Sequence, residues 1–315
     1  MDLAIWIAIS AGVLAALAPI TQGGLRKIND KELGKYVRKA GLPLPTHLRE
    51  PLLQRIAGRE RWALYGGAIG MALAVVTSLV FGWRDTTGGM LVMLAVVFGG
   101  SLGGVIAILS GSHQLRREGP RMARAQATEL SDFVSRGELL SARLAPIAAL
   151  VPAIVGAVLL TMLPHGPAPE LTWWTGMAWT ATGLTVLALI ATELVARLVL
   201  ARPQHAESRL ELAWDDVCRA ESLRGLVQTP IAMGVLAALS SLIMVGLVLI
   251  NPDIRSGAMQ QTFILGMVML AVSGLAVLGL MLPALMSWLS GGRSFVLRQL
   301  WAGEDFSTDA RERTC

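Results

Sequence analysis

Apolar residues in this chain are gathered into blocks that are separated by short or charged segments. Windows of about nineteen residues give blocks near residues 3–20, 62–83, 89–110, 144–164, 172–197, 229–250 and 262–289. A helix of this length crosses the hydrocarbon layer and satisfies its own backbone hydrogen bonds. The pattern therefore predicts an all-α fold, a polytopic transmembrane helical bundle of about seven spans that forms a single membrane domain over residues 1–315.

Lysine and arginine are concentrated in alternate connectors. The connectors 21–61, 111–143 and 198–228 and the tail 290–315 carry ten, six, four and four basic residues, and the other connectors carry at most one each. Basic connectors remain in the cytoplasm, so we expect the N-terminus outside and the C-terminus inside. We expect the first block to be an uncleaved anchor rather than a signal peptide, because only Asp2 precedes it as a charge and Pro19 follows its small residues.

The six later blocks form three hairpins, which raises the question of an internal repeat. A shift of the sequence aligns three pairs of residues: Asp132 with Asp216, Leu139 with Leu223, and Pro146 with Pro230. A parallel repeat, as found in transport folds, and chance agreement in a chain rich in Leu and Ala both explain these matches.

Composition supports the membrane prediction. The chain is 54% hydrophobic and 16% charged, which is outside the range of soluble globular proteins. Each connector is too short to build a core of its own. The net charge of +5 points to anionic lipid rather than nucleic acid as a partner, because its basic residues flank predicted spans. Cys218 and Cys315 both fall on the cytoplasmic side, where free thiols are expected.

The first basic connector contains every lysine of the protein, spaced at intervals of four residues. On a helix this spacing makes one basic stripe, with Leu25, Ile28 and Val37 on the opposite side. The pattern predicts an amphipathic helix that lies at the inner interface. Its expected contacts with anionic head groups or a partner protein are Lys27, Lys31, Lys35, Arg38 and Lys39.

The second and third blocks contain small residues four positions apart, which allow two helix backbones to approach closely. These residues are Gly66, Gly70, Gly99, Gly100, Gly103 and Gly104. The two blocks form one predicted hairpin, and we favour packing of its two helices against each other. The alternatives are a dimer face and a gating contact.

Few residues suggest chemistry. Glu193 and Arg197 lie four apart at the inner end of the fifth block, which predicts an interfacial ion pair in preference to an ion-coupling site. Adjacent Asp215 and Asp216 fit an amphipathic helix, on the inner surface or against the bundle, better than a catalytic acid. On that helix Asp215 would reach Arg219, four residues later. The histidines and cysteines lack metal-binding spacing and no phosphate-binding loop occurs, so we expect neither metal nor cofactor.

Three connector segments support a resemblance. The runs GPRMARA at 119–125, LSDFV at 130–134 and WDDVCRA at 214–220 resemble segments of uncharacterised multi-pass integral membrane proteins of actinobacteria. The resemblance implies a bacterial plasma membrane and supplies no catalytic residues.

These observations favour a non-enzymatic membrane subunit or scaffold, for example of a transport complex. An autonomous transporter built from the repeated hairpins is the alternative. A lipid-acting enzyme that uses Asp215, Asp216 or His113 is the third hypothesis.

Overall fold

The computed structural model describes residues 30–80, 86–110, 129–161, 169–202, 204, 206, 208–249, 260–289, 295–302 and 306. Every secondary-structure element in these ranges is a helix, as predicted. In chain order the helices are α1 (Asp30–Ala40), α2 (Thr46–Val80), α3 (Thr86–Ser110), α4 (Leu130–Phe133), α5 (Arg136–Thr161), α6 (Pro169–Leu200), α7 (Arg209–Leu249), α8 (Gln260–Leu289) and α9 (Phe295–Leu300).

Five of these helices, α2, α3, α5, α6 and α7, are long and apolar enough to cross a membrane. They coincide with five of the predicted blocks. The block at 262–289 corresponds to α8, in which the apolar stretch Gly266–Leu280 is shorter. The block at 3–20 lies outside the described residues. The all-helical, membrane-type architecture is therefore confirmed, while the spans at 3–20 and 262–289 and the direction of threading stay predictions.

Helix α7 is the centre of the bundle, where it packs against α3, α5, α6 and α8. Within its apolar window 61% of the residues are buried, compared with 22% in α2 and in α3. Large apolar side chains on the outer helices face outwards, including Ile69, Leu73 and Leu275. This exposed apolar surface is the kind that a bilayer covers.

Three helices begin well before the hydropathy pattern predicts. Helix α2 starts at Thr46 and α7 at Arg209, and both run without interruption from a polar segment into an apolar one. Helix α5 starts at Arg136, so Pro146 lies in the helix interior and not near its start as the sequence suggested. Hydropathy windows locate apolar residues, whereas a helix continues as long as neighbouring elements stabilise it.

One of the three pairs that the sequence shift aligned differs in structure. Asp132 lies in the short α4, where its Oδ2 accepts a hydrogen bond from the Glu129 backbone N–H at 2.8 Å. Asp216 lies inside the long α7 and is fully buried. The other two pairs lie inside the long helices α5 and α7, so a repeat and chance agreement both stay open.

A buried cluster lies at one end of the bundle, and we call the segments that build it the cap. The cap comprises α1, the start of α2, the start of α7, and α9 with the residues around it. Its buried members include Leu33, Leu52, Trp214, Leu297, Trp301 and Phe306. The sequence predicted that each connector is too short for a core of its own; in the structure, several connectors and the tail share one core.

Candidate functional site

Helix α1 packs its apolar side against the other segments of the cap. Leu33 and Ala40 are buried, and the Tyr36 ring stacks on Trp214 with their centroids 6.2 Å apart. This side is therefore covered by protein, whereas the sequence predicted that it would rest on lipid. Lys35 and Arg38 are exposed. Lys27 and the side chains of Lys31 and Lys39 lie outside the described residues.

The carboxylate of Asp216 is fully buried and bonded on both oxygens. Its Oδ1 accepts a hydrogen bond from Gln204 Nε2 at 2.6 Å, and its Oδ2 accepts one from Trp301 Nε1 at 2.9 Å. A buried carboxylate needs such donors because it has lost its hydration. Asp216 therefore holds the start of α7 and the C-terminal segment together.

Asp215 is bonded to the start of α2. Its Oδ1 accepts a hydrogen bond from Arg55 Nη1 at 3.0 Å, and its Oδ2 lies 3.9 Å from Arg219 Nη2, the i,i+4 contact that the sequence predicted. Gln204 Nε2 also donates to Asp215 Oδ2 at 3.2 Å. The adjacent acids thus serve as acceptors in a fixed network rather than as free groups.

Arginines connect this network to the bundle. Arg219 Nη2 donates to the carbonyl of Arg202 at 3.1 Å, and Arg202 Nη1 donates to the carbonyl of Ile108 near the end of α3 at 3.1 Å. The guanidinium groups use carbonyls that the ends of helices α3 and α6 leave free. The cap is consequently attached to α3 and α6 as well as to α2 and α7.

Tyr36 and Cys218 form the inner wall of the cap. The Tyr36 hydroxyl lies 3.8 Å from Cys218 Sγ. Burial, helped by the nearby Glu221 carboxylate, raises the pKa of Tyr36 far above its usual range. Cys218 precedes the predicted span 229–250, and burial raises the pKa of its thiol. Both groups remain protonated at neutral pH, so neither is an activated nucleophile.

A cavity of about 280 Å³ opens between the cap and the α2–α3 hairpin. Arg55 and Arg59 of α2 line one side, and Glu221 of α7 lines another. Apolar groups of Trp62 and Ile108 complete the wall. The cavity combines charge with apolar surface at the predicted inner end of the spans.

The hairpin of α2 and α3 brings four of the predicted glycines into contact. A Cβ atom on Gly66 would overlap the Gly99 carbonyl, and one on Gly103 would overlap the carbonyl of Trp62. Gly70 and Gly99 are equally confined. At Gly100 a Cβ would lie 3.4 Å from the Ala63 carbonyl, and at Gly104 it would meet nothing within 4 Å. The two backbones therefore touch along one face of the hairpin.

Glu193 bonds to a residue that the sequence did not suggest. Its Oε1 accepts hydrogen bonds from Arg143 Nε at 3.3 Å and Nη2 at 3.2 Å, linking α6 to α5. Arg197 is exposed. Its pairing with Glu193 stays a prediction.

Glu138 is a buried acid that sequence reasoning missed. It is 1% exposed, and its Oε2 accepts hydrogen bonds from the Ser135 hydroxyl at 2.9 Å and the Ser135 backbone N–H at 3.2 Å. Arg224 Nε of α7 lies 3.6 Å from the same oxygen. The spacing of Ser135 and Glu138 matches a capping box, a signal that was available in the sequence.

The described residues contain no group of three His, Cys, Asp or Glu side chains that could hold a metal ion. Asp216 is enclosed and Asp215 is engaged by arginine, so neither is available to a lipid substrate; His113 lies outside the described residues.

Comparison with known proteins gives no relative: no family model matches the chain, and no curated protein or solved structure matches it either.

Proposed function

We propose that the chain is a multi-pass protein of a bacterial plasma membrane and acts as a non-enzymatic subunit or scaffold. In this proposal the cap lies in the cytoplasm and binds a second protein. The observation that carries the proposal is that α2 and α7 run without interruption from the cap into the bundle. A partner bound to the cap is thereby held at a fixed position relative to the membrane.

The use of the ionisable residues supports a structural role. Asp215 and Asp216 accept hydrogen bonds from other parts of the chain, and Glu138 lies 3.6 Å from Arg224 of α7. Glu193 is bonded to Arg143 at the end of its helix rather than in the middle of the bundle. These groups act as connections between helices, so a scaffold explains them better than catalysis or ion coupling does.

The exposed basic side of α1 is the proposed partner surface. Lys35 and Arg38 are exposed on a helix whose other side is fixed to the cap by the stacked Tyr36 ring. A rigid helix that presents cations favours an acidic partner, because complementary charge speeds association and sets orientation.

Purification of the tagged chain in mild detergent from its bacterial host tests the scaffold proposal. We expect a second protein to be recovered at a fixed ratio with the natural chain and to be lost with Lys35→Glu plus Arg38→Glu. The matched control is Arg136→Glu plus Arg298→Glu, which changes the same charge at two other exposed sites. Recovery of the chain alone, or equal loss in both double variants, would contradict a partner on α1.

Orientation is tested with single cysteines in a chain that carries Cys218→Ser and Cys315→Ser. A membrane-impermeant maleimide should label Arg255→Cys in intact cells and label Lys35→Cys only after the membrane is opened. The reverse order would place the cap outside the cell and refute the cytoplasmic assignment.

A further inference from the structure

We propose that the cavity between the cap and the α2–α3 hairpin binds the phosphate group of an anionic phospholipid, with Arg59 as the phosphate-binding cation. This inference builds on the proposed orientation, which puts the cavity at the level of the inner head groups. Trp62 opens the predicted span 62–83, and Ser110 ends α3. Both residues line the cavity.

Among the described residues, the charges around the cavity leave the cation of Arg59 without a contact to an anion or acceptor. Arg55 is paired with Asp215. The Glu221 carboxylate is near enough to the buried Tyr36 hydroxyl to help burial raise its pKa. Within the part of the chain that the structure describes, the guanidinium of half-buried Arg59 has no hydrogen bond or ion pair. Arg55 and Arg59 lie one helical turn apart on the same face of α2, so an anion bound by Arg59 is also attracted by Arg55.

Gly225 of α7 leaves room for the end of the Arg59 side chain. A Cβ atom at residue 225 would overlap Nη2 of Arg59 and lie 3.3 Å from its Cζ. The guanidinium therefore rests on the α7 backbone, in a space that any side chain larger than hydrogen would occupy. A planar donor in this position suits a phosphate, which accepts two parallel N–H bonds.

The surroundings favour a lipid over a soluble anion. Trp62 is 43% exposed at the mouth of the cavity, and the neighbouring outer faces of α2 and α3 present Tyr65 at 54% and Ile106 at 46%. An acyl chain can lie along this apolar surface while the head group enters the cavity. The volume of about 280 Å³ is at the lower end of the range for ligand pockets and accommodates a head group alone. Basic pockets between helices on the cytoplasmic side bind anionic lipid in other membrane proteins.

The test measures retained lipid by native mass spectrometry of the full chain in detergent, titrated with phosphatidylglycerol, phosphatidylcholine or inorganic phosphate. We expect selective binding of phosphatidylglycerol, weakened about fivefold by Arg59→Gln, as removal of one cation near a phosphate predicts. Arg197→Gln is the matched control, since it removes an exposed arginine near the inner end of another predicted span. Gly225→Ala keeps the net charge and should also weaken binding by displacing Arg59.

Three outcomes overturn the inference. Equal weakening by Arg59→Gln and Arg197→Gln would mean diffuse attraction to the whole surface. Equal binding of phosphatidylcholine would remove the role of charge, and occupation of the site by inorganic phosphate at the same concentration would identify a free anion instead of a lipid. Each of these results leaves the maleimide labelling and the partner recovery unaffected, so the failure of this inference is distinguishable from failure of the proposed function.

Discussion

The α2–α3 hairpin and the cap are held together by opposite means, although α2 belongs to both. In the hairpin, glycines bring two backbones into contact, and large side chains such as Ile69 and Leu73 face outwards. In the cap, aromatic rings, buried acids and arginines fill the space between helices. A lipid environment offers no hydrophobic drive for association, so close backbone contact replaces it. In the proposed orientation the cap lies in water, which supplies that drive, so the cap can use larger side chains.

The contrast explains why the two regions should respond differently to mutation. The hairpin is sensitive to added volume at its glycines, because backbone carbonyls that cannot move aside lie against them. The cap is sensitive to lost partners because its polar groups are buried. Substitutions ranked by expected loss of stability test this distinction, with unfolding followed by denaturant titration in detergent micelles.

The largest effect is expected from Gly66→Leu in the hairpin. The new side chain would collide with the Gly99 carbonyl, and overpacking against backbone destabilises by about 3 kcal/mol or more. Gly104→Leu is the control, because a Cβ at that position meets nothing within 4 Å. If both variants unfold at the same denaturant concentration, the glycine contact does not hold the hairpin.

The next effect is expected from Asp216→Ala in the cap. Loss of the carboxylate removes the acceptor for Trp301 Nε1 and leaves buried donors without a partner. Each unsatisfied group lowers the free energy of unfolding by about 1–3 kcal/mol. Asp132→Ala, which removes only an exposed hydrogen bond at the start of the short α4, should have a much smaller effect. A change in tryptophan emission with Asp216→Ala but not with Asp132→Ala would report the local loss at Trp301.

A smaller effect is expected from Trp214→Phe. The variant keeps an aromatic ring against Tyr36 but removes the hydrogen bond from Nε1 to the Pro43 carbonyl at 2.9 Å. Loss of one such bond destabilises by about 1 kcal/mol. Trp62→Phe, at a partly exposed tryptophan on the hairpin, serves as the comparison. A larger loss of stability for Trp62→Phe than for Trp214→Phe would contradict the prediction that the tryptophan in the cap contributes more.

The smallest effect is expected at the exposed pair of Arg143 and Glu193. Solvent screening limits the contribution of such a pair to stability to about 0–1 kcal/mol. A double-mutant cycle with Arg143→Gln and Glu193→Gln should give a coupling energy in this range that falls as salt rises. A coupling above that of the cap substitutions would show that the pair is shielded by the surrounding membrane.

Sequence patterns predicted the features that depend on neighbours along the chain. Hydropathy located the five membrane-type helices, and spacing predicted that Asp215 would lie near Arg219. The sequence also placed the glycines on one face of each helix, because residues four apart share a face. Each of these features is a property of a single helix.

Features that join distant segments were not predictable in the same way. Arg55 meets Asp215, and Trp301 meets Asp216, although each pair is far apart in sequence. Periodicity shows which side of a helix is apolar but not which helix covers it. The cap was missed for this reason, since each of its segments is too short and too polar to predict a core alone.

The composition of the cap also sets the order in which the protein can assemble. Tyr36 and Cys218 are 182 positions apart, and the cap further requires Trp301 near the end of the chain. During synthesis, α1 and the start of α2 emerge long before the segments that bury them. These first segments lack their packing partners until the later helices have been synthesised. Closure of the cap is thus a late event that requires α9 and Trp301, and shortened products that lack α9 should leave the cap open to proteolysis.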